Sequence, residues 1–152
     1  MSVLKEQFIL PCGQILKNRI CKAAMTERIA DGNNFVNQFH TALYEKWVDG
    51  DIGTLLTGNV QVDKRYLESA GNVAIEKDSY KEQIPMLKKW SEVGTRNNTQ
   101  LWMQISHAGR QTPGELNMEP LAPSNVGLKI PGVKYGKPRA MSSEEIKDVI
   151  ER

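Results

Sequence analysis

Gln104 is the residue whose type and position most clearly indicate chemistry. It lies in the stretch LWMQISHAGR (101–110), an apolar run that predicts a strand leading into a polar turn. A primary amide carries both donors and an acceptor, so burying it without partners costs on the order of a few kcal/mol. In a buried strand, Gln104 therefore needs a partner, which is either a neighbouring protein group or a ligand.

Strand alternation predicts the direction of the Gln104 side chain. Leu101, Met103 and Ile105 share one face of the strand, which we expect to pack against helices, and Gln104 lies on the opposite face. Gln104 is also near the carboxyl end of its strand, where parallel α/β sheets and barrels place their ligands. Spacing alone does not choose between a protein partner and a ligand.

Histidine and cysteine are the other side chains that could react or bind a metal. His107 has the ordinary pKa of a general base, about 6.5, but we expect it to stabilise its loop, and His40 is predicted to be structural. Cys12 and Cys21 lack metal-ligand spacing and lie in strand-like segments, so we expect buried, reduced thiols. No metal constellation and no glycine-rich phosphate loop is found in the sequence.

The elements that position Gln104 alternate between strand and helix, which predicts an α/β fold with parallel strands covered by helices. The predicted elements are a hairpin around 11–13, strands at 18–26, 53–62 and 99–107, and helices at 36–50 and 79–94.

Apolar stripes predict the inward faces of the two helices. In the first helix Phe39, Leu43 and Trp47 recur four residues apart, which indicates one buried face. In the second, Pro85 suits a first turn, so we expect the regular helix to start near Gln83.

A long Pro/Gly-rich segment separates the last predicted strand from a final helix. It is too long for an idle connection and is typical of a functional or capping loop. Ser142 and Glu145 form a capping-box pattern that begins the helix. The chain is thus predicted to comprise a hairpin cap (1–17), a βαβαβ unit (18–106), the loop (107–140) and the start of a helix (142–152).

Composition indicates one soluble domain. The 152 residues carry 20 Lys and Arg against 18 Asp and Glu, scattered without a basic stripe, so we expect no nucleic-acid partner. No run approaches the roughly 20 apolar residues of a membrane span, and no signal peptide opens the chain. We expect a cytoplasmic protein that binds a small molecule, with neither a membrane nor a nucleic acid as partner.

Three motifs resemble a known family. NRICKAAMTE, LLTGNVQVD and WMQISHAGRQTP, in this order, are similar to the N-terminal portion of the old yellow enzyme family of FMN-dependent oxidoreductases, from Phe8 to the last residue. The resemblance implies a TIM (β/α)₈ barrel that holds FMN at the carboxyl ends of its strands. It also implies NAD(P)H as reductant and an activated alkene, such as an enone, or another small molecule as acceptor.

The resemblance assigns cofactor-binding residues by position. Gln104 matches the residue that binds the polar edge of the flavin pyrimidine ring, and Thr26 matches one that hydrogen-bonds near a flavin carbonyl. Proline often stands at position 24 in the family, and glycine or alanine at position 59, so this chain departs from the pattern there. The full set of assigned residues is Ala24, Met25, Thr26, Gly58, Asn59 and Gln104.

The predicted barrel is incomplete. A (β/α)₈ barrel typically takes about 250 residues, whereas this sequence supplies an N-terminal β-hairpin and about three parallel βα units. We therefore expect the N-terminal part of a truncated or partial flavin oxidoreductase, with weak or no FMN retention and no turnover alone. Two alternatives stay open: a non-catalytic half-barrel that pairs with itself, as a homo-oligomer, or with a full-length paralogue, and an unrelated α/β binding protein in which Gln104 is structural.

Overall fold

The computed structural model of the protein describes residues 2–152, and it begins with a small hairpin. Strand β1 (Phe8–Ile9) pairs antiparallel with β2 (Ile15–Leu16). Gly13 adopts a φ of +86° in the connecting turn, a conformation that glycine reaches without a clash at Cβ. The hairpin lies where the Pro-Cys-Gly break predicts it.

A four-stranded parallel sheet forms the centre of the fold. Its central strand, β4 (Thr54–Gln61), pairs along its whole length with β6 (Gln100–Ser106). The other side of β4 pairs first with β3 (Cys21–Lys22) and then with β5 (Val73–Ala74). Among residues 2–152 no strand pairs with the outer side of β6, so the sheet stays open. The α/β prediction with an unclosed barrel is confirmed.

Two helices pack together against this sheet. They are α1 (Gln38–Asp49) and α2 (Tyr80–Gly94). Tyr44 of α1 meets Trp90 of α2 edge to face, with ring centroids 5.1 Å apart, and each such buried side chain contributes on the order of 2 kcal/mol. The core they form with the sheet comprises Val36, Tyr44, Val48, Leu55, Val60, Val73 and Trp90.

The predicted inward face of α1 is correct except at Phe39: Val36 and Val48 are buried in the core, and Leu43 and Trp47 pack against it. Phe39 is 62% exposed, whereas His40, Tyr44 and Val48 are buried. Asn37 caps the helix, with His40 completing a capping box, and this start turns His40 rather than Phe39 toward the core.

The predicted start of α2 is also wrong. The helix begins at Tyr80, so Pro85 lies in its second turn. Pro85 and Lys81 are both exposed. Pro85 supplies no N–H to the Lys81 carbonyl, yet on this exposed side the helix continues without a break.

The first strand of the sheet and the two cysteines of the chain differ from expectation. Only Cys21–Lys22 of the predicted 18–26 strand joins the sheet, and the chain then continues without strand pairing. Cys12 and Cys21 are free, as expected, but both are exposed, so the prediction of buried thiols is wrong. Both lie at the amino-terminal rim of the fold, outside the helix-covered core.

The outer strand β6 is less covered than its sequence suggests. Leu101 packs against the core, but Met103 is partly uncovered and Ile105 is 71% exposed. The expectation that all three meet helices is therefore wrong at Ile105. Gly94 ends α2 beside Leu101. Met103 lines a small cavity together with Trp90 of α2, and no described helix covers Ile105.

The long segment after β6 contains structure of its own. Strand β7 (Leu121–Ala122) pairs parallel with β8 (Arg139–Ala140). Helix α3 (Ser143–Glu151) follows, and the predicted capping box between Ser142 and Glu145 is confirmed. No helix in the described part of the chain is long and apolar enough to cross a membrane.

Candidate functional site

The candidate site lies at the carboxyl ends of β4 and β6. Asn59 and Gln104 are register partners on these strands. The Gln104 side chain donates from Nε2 to Asn59 Oδ1 over 2.6 Å. Gln104 thus points into the strand-end region, as predicted from alternation, and its partner there is a side chain of the neighbouring strand.

A carboxylate joins Asn59 to the end of the first strand segment. Asn59 Nδ2 donates to Glu68 Oε2 over 3.1 Å, and Thr26 Oγ1 donates to the same oxygen over 2.8 Å. We call Thr26, Asn59, Glu68 and Gln104 the polar cluster. It unites three residues that the sequence singles out, although Thr26 and Gln104 are far apart along the chain.

Gln104 is exposed, so the expectation that it is buried is wrong. The reason is the open edge of β6, which leaves the strand-end region in contact with solvent. Nε2 donates one of its two hydrogens to Asn59, and the second remains available to a ligand. The protein partner and the ligand role are therefore compatible.

A β-bulge aligns the cluster. The register shifts between Leu56 and Asn59, so three steps along β4 match two along β6. Without the additional residue, Gly58 would stand opposite Gln104. The bulge is fixed by Thr57, whose Oγ1 accepts the backbone N–H of Gln104 over 2.9 Å.

Gly58 allows the segment around Thr26 to approach β4 closely. A Cβ at Gly58 would run into the Met25 carbonyl oxygen and the Glu27 carboxylate. Close backbone approach is a common reason for glycine inside a strand. Its contact with flavin, assigned by resemblance, stays a prediction.

Glu27 anchors this approach from the helix side. Its Oε1 accepts the Gly58 N–H over 3.1 Å and the Tyr44 hydroxyl over 2.6 Å. Burial, reinforced by the hydrogen bond to Glu27, raises the pKa of Tyr44 above its ordinary value. Tyr44 therefore stays protonated and keeps donating.

Ala24 and Met25 lie in the segment that leads from β3 to Thr26. Ala24 is partly buried, and Met25 is 52% exposed beside the polar cluster. An exposed, flexible thioether is suited to cover a flat ring. The border role of both residues stays a prediction.

Glu27 and Glu68 are the site residues that sequence reasoning missed. Each is an acidic residue near a predicted strand end, but neither belongs to a periodic pattern. The signal that could have found them is the carboxyl end of parallel strands, where polar residues from several loops converge.

The two histidines have local roles. His40 is 1% exposed, and its Nδ1 accepts the Asn37 N–H over 3.2 Å. His107 Nδ1 accepts the Gly109 N–H over 3.1 Å, which supports the loop role predicted for it. Burial lowers the pKa of both imidazoles, so they stay neutral near pH 7. The described residues hold no group of three or more potential metal ligands.

A cleft of about 500 Å³ opens beside the polar cluster and shares Glu68 with it. The segment after β6 forms one wall of this cleft. Residues lining the cleft include Arg28, Glu68, Ser69, Gln111, Glu115 and Tyr135.

Residues 12–152 match the model of the NADH:flavin oxidoreductase / NADH oxidase family. The chain belongs to this family. Family members bind FMN and use NAD(P)H as reductant, as the resemblance in the sequence implies.

The curated relatives are longer than this chain. The NADH-dependent flavin oxidoreductase iliE of Hypocrea jecorina (strain QM6a) is 31% identical over 94% of this chain and 39% of its own length. The NADH:fumarate oxidoreductase of Klebsiella pneumoniae (strain 342) is also 31% identical, over 95% of this chain and 15% of its own length. The chain therefore spans well under half the length of these relatives.

Solved structures share the fold of this chain. The old yellow enzyme homologue from Zymomonas mobilis superposes with a TM-score of 0.75 at 22% identity, over 99% of this chain and 42% of its own. A 2-naphthoyl-CoA reductase in complex with 2-naphthoyl-CoA gives 0.83 at 20% identity, over 98% and 24%. The expected fold, part of a TIM barrel, is confirmed.

The polar cluster fits the polar edge of FMN. The pyrimidine ring of a flavin presents carbonyl oxygens and an N–H along one edge. The free Nε2 hydrogen and the Oε1 of Gln104 are a donor and an acceptor side by side, which is the complement of that edge. These groups lie at strand carboxyl ends, where barrels of this kind bind ligands.

Proposed function

We propose that this chain supplies the flavin-edge site of an NAD(P)H-dependent FMN oxidoreductase. The observation that supports the proposal is the polar cluster, in which Gln104, Asn59 and Thr26 converge through Glu68. In the assembled enzyme NAD(P)H reduces FMN, and the flavin then reduces a small molecule, for which we propose an activated alkene of the enone type.

Within this site we propose a role for each predicted residue. Gln104 binds the pyrimidine edge through its amide, and Thr26 and Asn59 line the ring beside it. Ala24 and Met25 border the isoalloxazine, and Gly58 lets their segment reach the strand end. We further propose a cytoplasmic location, which two cysteines without a disulfide favour.

We also propose that the 152-residue chain alone binds FMN weakly and does not turn over. Its sheet is open along β6, so protein encloses the region at the strand carboxyl ends on one side only. The experiment is to purify the chain, add FMN, remove excess and record the visible spectrum. We expect no stoichiometric flavin band and no NAD(P)H-dependent enone reduction. A yellow, active preparation would contradict this proposal.

A second candidate function is a half-barrel that pairs with another copy of itself. The open edge of β6 favours it, because Trp102, Met103 and Ile105 are all exposed there. Unpaired strand edges with apolar side chains promote association. Sizing chromatography with light scattering tests it: we expect a discrete dimer that Ile105→Lys converts to monomer. A wild-type monomer at all concentrations would rule out this function.

A further inference from the structure

We infer that Glu68 is a positioning residue that sets the hydrogen-bond polarity and the charge of the flavin-edge site. The inference rests on the proposed function and deepens it. Glu68 Oε2 accepts from both Thr26 and Asn59, so every hydrogen bond of the polar cluster leads toward this one carboxylate.

The carboxylate fixes the orientation of two side-chain amides. An ionised carboxylate only accepts hydrogen bonds, so the Asn59 atom that faces Glu68 must be its NH₂ group. The Asn59 oxygen then faces Gln104, which must present Nε2 to it. Gln104 Oε1 is thereby turned away from Asn59 and left as an acceptor for the ligand. Without Glu68, both amides are free to flip.

The same carboxylate accepts the only hydrogen that the Thr26 hydroxyl can donate. Thr26 donates this hydrogen to Glu68 over 2.8 Å. Its Oγ1 can therefore only accept a hydrogen bond from a ligand. The resemblance expects Thr26 near a flavin carbonyl, which is itself an acceptor. In this chain Glu68 competes with that carbonyl for the proton, and the site is richer in acceptors than the resemblance implies.

The charge of Glu68 acts in the same direction on the flavin. Above neutral pH reduced FMN carries one more negative charge on its ring than oxidised FMN does. A fixed carboxylate beside the ring repels that charge, and the repulsion is strong where solvent is partly excluded. Glu68 therefore disfavours reduced FMN relative to oxidised FMN and lowers the reduction potential of the bound flavin.

The test compares E68Q with E115Q. Both variants replace a carboxylate that lines the same cleft by an amide of equal size. Glu115 makes no hydrogen bond to the polar cluster in the described structure, so it controls for the loss of charge alone. FMN, oxidised and then chemically reduced under anaerobic conditions, is titrated into ¹⁵N-labelled chain. The side-chain amide signals of Asn59 and Gln104 report binding, and weak binding suffices.

We expect E68Q to shift the ratio of affinities about tenfold in favour of reduced FMN, which is about 30 mV for a two-electron couple. E115Q should leave the ratio unchanged. The conservative variant E68D keeps the charge and should keep the wild-type ratio even if both affinities fall. If E68Q does not fold, E68A takes its place with the same expected shift.

Each contrary outcome has a distinct meaning. An unchanged ratio in folded E68Q, or a shift of the same size in E68D or E115Q, overturns the role of Glu68 while the flavin site stands. If the wild-type amide signals of Asn59 and Gln104 respond to neither form of FMN, the proposed site itself is wrong and the role of Glu68 falls with it.

Discussion

Two glutamates hold the segment around Thr26 in place. Glu68 binds the Thr26 hydroxyl, and the neighbouring Glu27 binds Gly58 of β4 and Tyr44 of α1. This matters because β3 ends at Lys22, so no strand ladder supports the chain at position 26. Side-chain hydrogen bonds therefore position this part of the site.

At Gly58 we expect substitution by alanine to destabilise the fold. The added methyl group meets the Met25 carbonyl and the Glu27 carboxylate, and overpacking of this kind typically costs about 1–3 kcal/mol. The urea midpoint of G58A, measured by circular dichroism, should fall accordingly. G32A is the matched control, since nothing lies within 4 Å of a Cβ at Gly32. Equal midpoints for the two variants would refute the close approach.

The sequence distance between interacting residues decides which parts of the candidate site can be predicted from the sequence. Gln104 was found because strand alternation is local, and Thr26 and Asn59 because they lie in motifs of the family. Glu68 was not found because its partner Thr26 lies 42 positions away, and no local pattern links them. The burial of Gln104 was misjudged because exposure depends on whether a further strand covers its edge.

The bounds and faces of the helices and strands agree with the local sequence signals to different degrees. The strands β4 and β6 and the cap of α3 agree with prediction within a residue or two, because strand composition and capping boxes are short-range signals. On α1 only the exposure of Phe39 differs, because the capping bond of His40 to Asn37 and its contact with Trp90 of α2 place His40 rather than Phe39 against the core. The bulge in β4 leaves no clear mark in the sequence.

The start of α3 should respond to acid. Side-chain hydrogen bonds from Arg139, together with the Ser142 N–H, hold the pKa of Glu145 at about 2, below its ordinary 4.5. A lowered folded-state pKa means that the stabilisation is complete above the ordinary value and is lost as pH falls toward about 2. Amide exchange in the first turn of α3 should therefore accelerate over this range beyond its intrinsic pH dependence.

The variant E145Q controls for this effect. It removes the titrating group, so its exchange should be faster than wild type near neutral pH and should show no additional change between pH 4.5 and 2. If wild type and E145Q respond to acid alike, the capping carboxylate is not the cause.

On the scale of the whole molecule, the fold is one wall of a barrel, with the polar cluster at the carboxyl ends of its strands. A single central strand, β4, carries pairing partners on both sides, and α1 and α2 cover only one face. The order of strands and helices predicted this architecture, because parallel crossovers admit few arrangements. The same order explains why Asn59 and Gln104 lie side by side, since parallel strands bring their carboxyl ends to the same edge.

The most direct test of the flavin-edge site is the FMN affinity of Q104L in a complete barrel, made by joining this chain to the remaining strands of a family member. Q100L is the control, because Gln100 opens the same strand at its amino end, away from the polar cluster. Losing the hydrogen bonds of the Gln104 amide should weaken FMN binding at least about tenfold, while Q100L binds as wild type does. FMN affinity that is equal in Q104L and Q100L would contradict the account.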